Sequence, residues 1–270
     1  MRKITSVGLL AVGLLFFANE GFAEGGKGRW GTWEVAPEVY WFFYEEPSLS
    51  VEWEGWMYGV KGSLTSHSQA NPFSSRMEGR YAIGNVDYDG SLTDGTPHTT
   101  SGTDQTAEVA GTVGYDISGG RDLAILYAGA GFRYWFDDLD SSSSYARRVR
   151  YLYSPIGLEM TQVNQTWRVG FRAEYDIFWR GWVTSQLSDV NPSLSDVSNR
   201  QDGGYGVRGS VYFQRRLNRN TSLSIEPFIR YWDIDASDKA PITFAGILIG
   251  SGQEPANRTI ESGLQISLVF

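Results

Sequence analysis

"TWRVGFRAEYDIFW", Thr166 to Trp179, alternates without a break. Trp167, Val169, Phe171, Ala173, Tyr175, Ile177 and Trp179 share one parity, and Thr166, Arg168, Gly170, Arg172, Glu174 and Asp176 share the other. Successive side chains of a strand point to opposite faces. The stretch therefore places a wholly apolar face, with tryptophan at both ends, back to back with a densely charged one. It is far longer than the ~5–6 residues usual for a soluble strand. It is long enough to cross a bilayer at a tilt and project beyond it.

The same signature recurs along the chain. In 32–43, Trp33, Val35, Val39, Trp41 and Phe43 oppose Glu34 and Glu38. In 76–86, Met77, Tyr81 and Ile83 oppose Glu78 and Arg80, and in 105–117 Val109, Val113 and Tyr115 oppose Glu108. In 205–213, Val207, Val211 and Phe213 oppose Arg208; in 221–232, Ile225 and Ile229 oppose Glu226 and Arg230. The closing stretch, 260–270, sets Ile260, Leu264, Ile266, Leu268 and Phe270 against Glu261 and Gln265. Weaker runs at 51–64, 122–136 and 148–161 complete ten expected strands. In 122–136 both faces are apolar, and Gly129 and Gly131 are expected to face a crowded interior.

Composition fits an inverted protein, apolar outside and polar within. Ten Trp, fifteen Tyr and 32 Gly accompany a mean hydropathy of −0.30. Long apolar helical stretches are missing, apart from a short one near the start. There, Arg2 and Lys3 precede the apolar run Val7–Phe17 and the small-x-small triplet ending at Ala23. This reads as an export signal over 1–23, leaving 24–270 as a single domain. Cysteine is absent, which removes thiol chemistry and disulfides. With 31 acidic against 23 basic residues and a formal charge of −8, the chain is a poor nucleic-acid binder.

Expected connections alternate between short turns ("SGGR", "VNQT", "LNRN") and long excursions at about 88–104, 137–147, 180–202 and 234–257. "SHSQANPFSS" near 65–75 is the one irregular connection. Short turns on one side and longer loops on the other is the layout of bacterial outer-membrane barrels. The chain resembles that class throughout its length. The fold expected is all-β: a transmembrane, antiparallel, up-and-down barrel of about ten strands, in the outer membrane of a Gram-negative bacterium. "LQISLVF", ending on Phe270, resembles the C-terminal signal by which the barrel-insertion machinery recognises such proteins. Ten strands is also the size of the omptin proteases and of opacity-type adhesin barrels.

That orientation turns the charged parity inward. The expected lumen network is Glu34, Glu38, Glu78, Arg80, Glu108, Arg133, Glu159, Arg168, Arg172, Glu174, Asp176, Arg208, Glu226, Arg230 and Glu261. A barrel this narrow is nearly filled by side chains, and charges buried there must be paired. The expected lumen is thus a salt-bridged plug, with a narrow gated path as the alternative.

Catalytic candidates are few. Asp87 and Asp89, with Asp94 and His98 nearby, resemble part of the omptin site. The 180–202 segment holds Asp189 and Asp196 but no histidine, so the second half of that machinery is missing and no catalytic role carries over. His67 reads as a polar turn residue. No cofactor is implied. The acidic excursions (Asp94 and Asp104; Asp137, Asp138 and Asp140; Asp233, Asp235 and Asp238) either turn in solvent or share divalent cations with lipopolysaccharide phosphates. "APITFAGILIGSG", 240–252, is apolar for an outside segment. A lid buried in the barrel mouth is the first expectation, with an extended hairpin or a partner surface as alternatives.

Overall fold

Strand pairing follows the alternation stave by stave. The computed structural model describes residues 29–270 except 69–70, 92–94, 119–121 and 141–143. The expected signal segment lies outside the described residues. Among the described residues thirteen strands form: β1 (Arg29–Glu46), β2 (Val51–Ser68), β3 (Phe73–Ser91), β4 (Pro97–Asp116), β5 (Leu123–Leu139), β6 (Arg147–Val163), β7 (Trp167–Ser185), β8 (Val197–Gln201), β9 (Gly204–Arg216), β10 (Ser222–Ile234), β11 (Lys239–Phe244), β12 (Ile247–Gln253) and β13 (Asn257–Val269). Each of β1 to β7 pairs antiparallel with its sequence neighbour, β7 pairs with β9, β9 with β10, and β10 with β13. β13 then pairs with β1, as Glu34 meets Val269 and Glu45 meets Arg258. Ten antiparallel staves close into an up-and-down barrel, with β8 continuing β9. Closure leaves no stave with an unpaired backbone edge, which is what allows strands to cross lipid.

The apolar parity faces out. Val35, Trp56, Tyr58, Val60, Met77, Val113, Phe171, Ile229 and Ile266 are all exposed on the outer wall. Such a belt around a buried polar interior is unstable in water and satisfied in lipid, so the chain is an outer-membrane β-barrel. The belt covers about eleven residues per stave, for example 33–43 on β1 and 167–179 on β7. Longer staves such as β3 (19 residues) and β4 (20 residues) rise well above it.

Those extensions correct the expected loops. Most of 88–104 is strand, and β7 and β8 absorb both ends of 180–202, leaving a connection that holds one 3-10 turn, Leu187–Asp189. Above the belt the outer face meets water, so Thr99, Ser101 and Thr103 replace apolar residues and the alternation fades while the pairing continues. The 65–75 irregularity is also resolved: β2 runs to Ser68 and β3 starts at Phe73, a short turn like the others at that end.

The 240–252 segment is not a buried lid. β11 and β12 form a separate hairpin, turned through Ala245 and Gly246, both at positive φ. Ile247, Leu248 and Ile249 are 71%, 66% and 59% exposed. The hairpin touches the 193–195 segment, where Ser195 N donates to Thr243 O at 2.9 Å and Ala245 N donates to Ser193 O at 2.7 Å, and β8, where Asn199 Nδ2 donates to Gly252 O at 3.1 Å. The side chains at its tip, Ile247 to Ile249, stay uncovered.

Candidate functional site: the lumen

Inward parity brings the expected network together, except for Arg168. At mid-height, Glu261 on β13 is the hub. Arg80 Nη2 donates to its Oε2 at 2.7 Å, Arg230 Nη1 donates to the same oxygen at 3.1 Å, and Arg133 Nη2 lies 2.8 Å from Oε1. Arg80 also reaches Glu38 (3.3 Å) and Glu108 (2.9 Å), and Arg230 reaches Glu38 at 3.2 Å. Arg208 links Glu108, Glu174 (3.1 Å) and Asp176 (2.6 Å). Glu38, Glu108 and Glu261 are each shared by two or more guanidinium groups from different staves, while Glu174 and Asp176 both answer Arg208. The lattice ties opposite walls together, as a buried charge requires.

Towards the turn end lie two smaller groups. Glu34 and Glu78 pair with Arg76 at 3.4 and 3.1 Å, and Lys61 meets Glu78 at 3.5 Å. Arg172 pairs with Glu159 at 2.9 Å and Glu226 at 3.8 Å. These residues line a polar vestibule of about 150 Å³ that opens at that end. A void of about 50 Å³ beside Lys61, Arg80 and Arg230 separates it from the lattice.

Above the lattice the lumen is aromatic. Tyr40, Phe42, Tyr44, Trp53, Trp135, Tyr151, Tyr153 and Trp232 are all buried, and most of them touch in tilted or edge-to-face pairs. Arg133 and Arg208 each lie 5.6 Å from the Trp232 ring centre, and Tyr153 donates to Glu108, joining the aromatic layer to the lattice. Gly131 makes room for that layer: a Cβ there would run into the Tyr153 ring, and Gly129 faces inward beside it as expected.

A third charged layer caps the aromatics, beyond the belt. Arg147 sits 4.5 Å from the Trp53 ring centre and 5.2 Å from that of Trp135. It pairs with Glu46 (3.1 Å), Asp137 (3.0 Å) and Glu254 (3.0 Å). Asp104 is buried alongside and accepts from Trp135 Nε1 at 2.6 Å. Burial, with Glu46 and Asp137 adding to it, pushes the Glu254 carboxyl up to about 7 against the pull of Arg147. Burial and the neighbouring Asp137 likewise push Asp104 well above the usual carboxylate range.

Sequence reading missed this cap, along with Lys61 and Arg76. Asp104 and Asp137 were assigned to solvent-exposed excursions and are instead buried in staves. Parity was the available signal: Tyr40, Phe42, Tyr44 and Glu46 share the register of Glu38, and Arg147 shares that of Tyr151 and Tyr153.

The omptin-like residues do not converge. Asp87 and Asp89 lie on the outward parity of β3, while His98 is inward on β4, 6.1 Å from the Tyr88 ring centre. Asp94 lies outside the described residues. Asp189 accepts from Ala146 N (3.2 Å), Asp196 from Ser188, Asp233 from Arg258, and Asp238 from Arg200 N. Among the described residues no group of three or more His, Asp or Glu is arranged to hold a metal ion.

No protein-family model matches the sequence, and no curated protein matches it. The fold does have relatives among solved structures. The outer membrane protease OmpT from Escherichia coli is similar over 93% of this chain and 99% of that one, with a TM-score of 0.61 and 10% identity. The translocator domain of the autotransporter NalP from Neisseria meningitidis aligns with a TM-score of 0.41 and 8% identity, over 97% of this chain and 95% of that one. The first likeness is one of fold, a ten-stranded barrel rising above the membrane.

Proposed function

We propose that this outer-membrane barrel is sealed, and that it acts as a surface platform through its loop end. The observation that carries the reading is the filled cross-section: Tyr40, Phe42, Tyr44, Tyr153 and Trp232 are essentially inaccessible, between the Glu261 lattice and the Arg147 cap. A conducting path needs a continuous string of water, and this cross-section supports none. The hydrolase reading lacks support, because Asp87 and Asp89 face away from His98. Contact with lipopolysaccharide phosphates is supported by Arg148 and Arg150, which follow the belt residue Leu152 on the outer face of β6, with Phe136 stacked under Arg148. Guanidinium groups at that height suit phosphate. Proteoliposomes containing the refolded chain should not swell in isotonic arabinose. Swelling at porin-like rates would overturn the sealed reading.

A further inference from the structure

The arginines of the turn end divide into two kinds. Of the three that line the vestibule, Arg76 and Arg172 are matched to carboxylates. Arg168, Arg216 and Arg219 are not: among the described residues, no carboxylate forms an ion pair with any of them. All three line one pocket of about 310 Å³, between the β6–β7 turn and the β9–β10 turn. Arg168 and Arg216 are on the inward parity and Arg219 is at the turn tip. Neither 163–171 nor 212–225 contains an Asp or Glu. Arg215, on the outward parity, adds a fourth positive charge beside them, 5.5 Å from the Trp167 ring centre.

A chain with a formal charge of −8 has thus concentrated unneutralised cations on two adjacent turns. The vestibule behind them cannot neutralise them, because Glu34, Glu78, Glu159, Glu174 and Glu226 already have cationic partners. Converging guanidinium forks in a pocket lined by no Asp or Glu side chain are suited to a multiply charged oxyanion, which they can bind in bidentate fashion. Asn218 and Asn220 add side-chain amides to the same pocket. Short turns of an outer-membrane barrel face the periplasm, which places the pocket at the inner-leaflet surface.

We propose that this rim pocket binds a phosphate-bearing anion through Arg168, Arg216 and Arg219. The phosphate is supplied either by an inner-leaflet lipid headgroup or by a soluble phosphorylated molecule. The test is calorimetric titration of the refolded full chain, in a zwitterionic detergent at low salt, with dihexanoyl phosphatidylglycerol and separately with pyrophosphate. Arg168→Gln/Arg216→Gln/Arg219→Gln should weaken binding at least tenfold, and the all-lysine variant should recover part of it. Folding of each variant is checked by heat-modifiable gel migration. Binding of the lipid alone identifies a headgroup, binding of pyrophosphate alone a soluble ligand, and binding of both the shared chemistry. No binding of either at millimolar concentration, or equal binding by the wild type and the folded triple-glutamine variant, overturns the proposal.

Discussion

Arg80 on β3 donates to Glu261 on β13 across the barrel axis, at 2.7 Å and 181 residues apart in the chain. The pair lies between staves that do not touch, so it holds the cross-section of the barrel rather than any one hairpin. Glu261 also answers Arg133 and Arg230, and it is fully buried.

Removing that carboxylate should leave three cations short of a partner. Glu261→Gln is expected to destabilise the barrel by about 3–5 kcal/mol, the usual cost of breaking a buried pair by deleting one side. Urea unfolding in lipid vesicles, followed by tryptophan fluorescence, reads the difference. Replacing Glu38, which shares Arg80 and Arg230 with Glu261, should cost less, because those arginines keep another acid.

The aromatic layer makes its own prediction. Gly131→Ala places a methyl group against the Tyr153 ring, whose hydroxyl is already committed to Glu108. Overpacking of this kind costs about 1–3 kcal/mol. The same substitution at Gly111, where a Cβ meets nothing, should be close to neutral. Parallel melts of the two variants separate a packed lumen from a loose one.

Titration of the cap should make the loop end pH-dependent. Glu254 has its folded pKa raised to about 7 from an ordinary 4.5, and Asp104 and Asp137 are shifted in the same direction by burial. A carboxyl with a raised folded pKa contributes stability that is complete below its unfolded pKa and lost as pH rises through the folded value. The loop end is therefore expected to be more protected against hydrogen exchange at pH 5 than at pH 8, with protection falling between the ordinary 4.5 and about 7. Glu254→Gln should flatten the profile. An unchanged profile would remove Glu254 from this role.

The exposed hairpin should be dispensable for folding. Replacing 241–250 with a short Gly-Ser link removes most of β11 and of β12 but none of the ten staves. The variant is expected to keep heat-modifiable migration and a melting temperature within a few degrees of the parent. It should also self-associate less, since Ile247, Leu248 and Ile249 form an apolar patch beside an edge strand. Loss of folding would show that the hairpin seals the barrel after all.

Much of this fold was legible because lipid imposes a rule on every stave it touches. From Trp167 to Trp179 the outer face must be apolar, and parity then fixes what faces inward. Where lipid ends, the rule ends: Thr99 to Thr103 and Val197 to Gln201 are strand without alternation, and they read as loop. The lumen charges Glu38, Arg80 and Glu261 were found by parity. The cap around Arg147 was not, because Asp137 continues the inward parity of Arg133 above the lipid, where the alternation fades, and Glu254 lies outside the ten staves. Arg168 was legible as inward-facing, but its lack of an acidic partner depends on three-dimensional neighbours.

A lumen sealed by Tyr40, Phe42, Tyr44, Tyr153 and Trp232 between the lattice and the cap passes no ions. Planar-bilayer recording of the refolded chain tests it most directly. The expected trace is flat at every holding potential, with no steady unitary current. A stable open conductance from a single inserted barrel, persisting across voltages, would contradict the account.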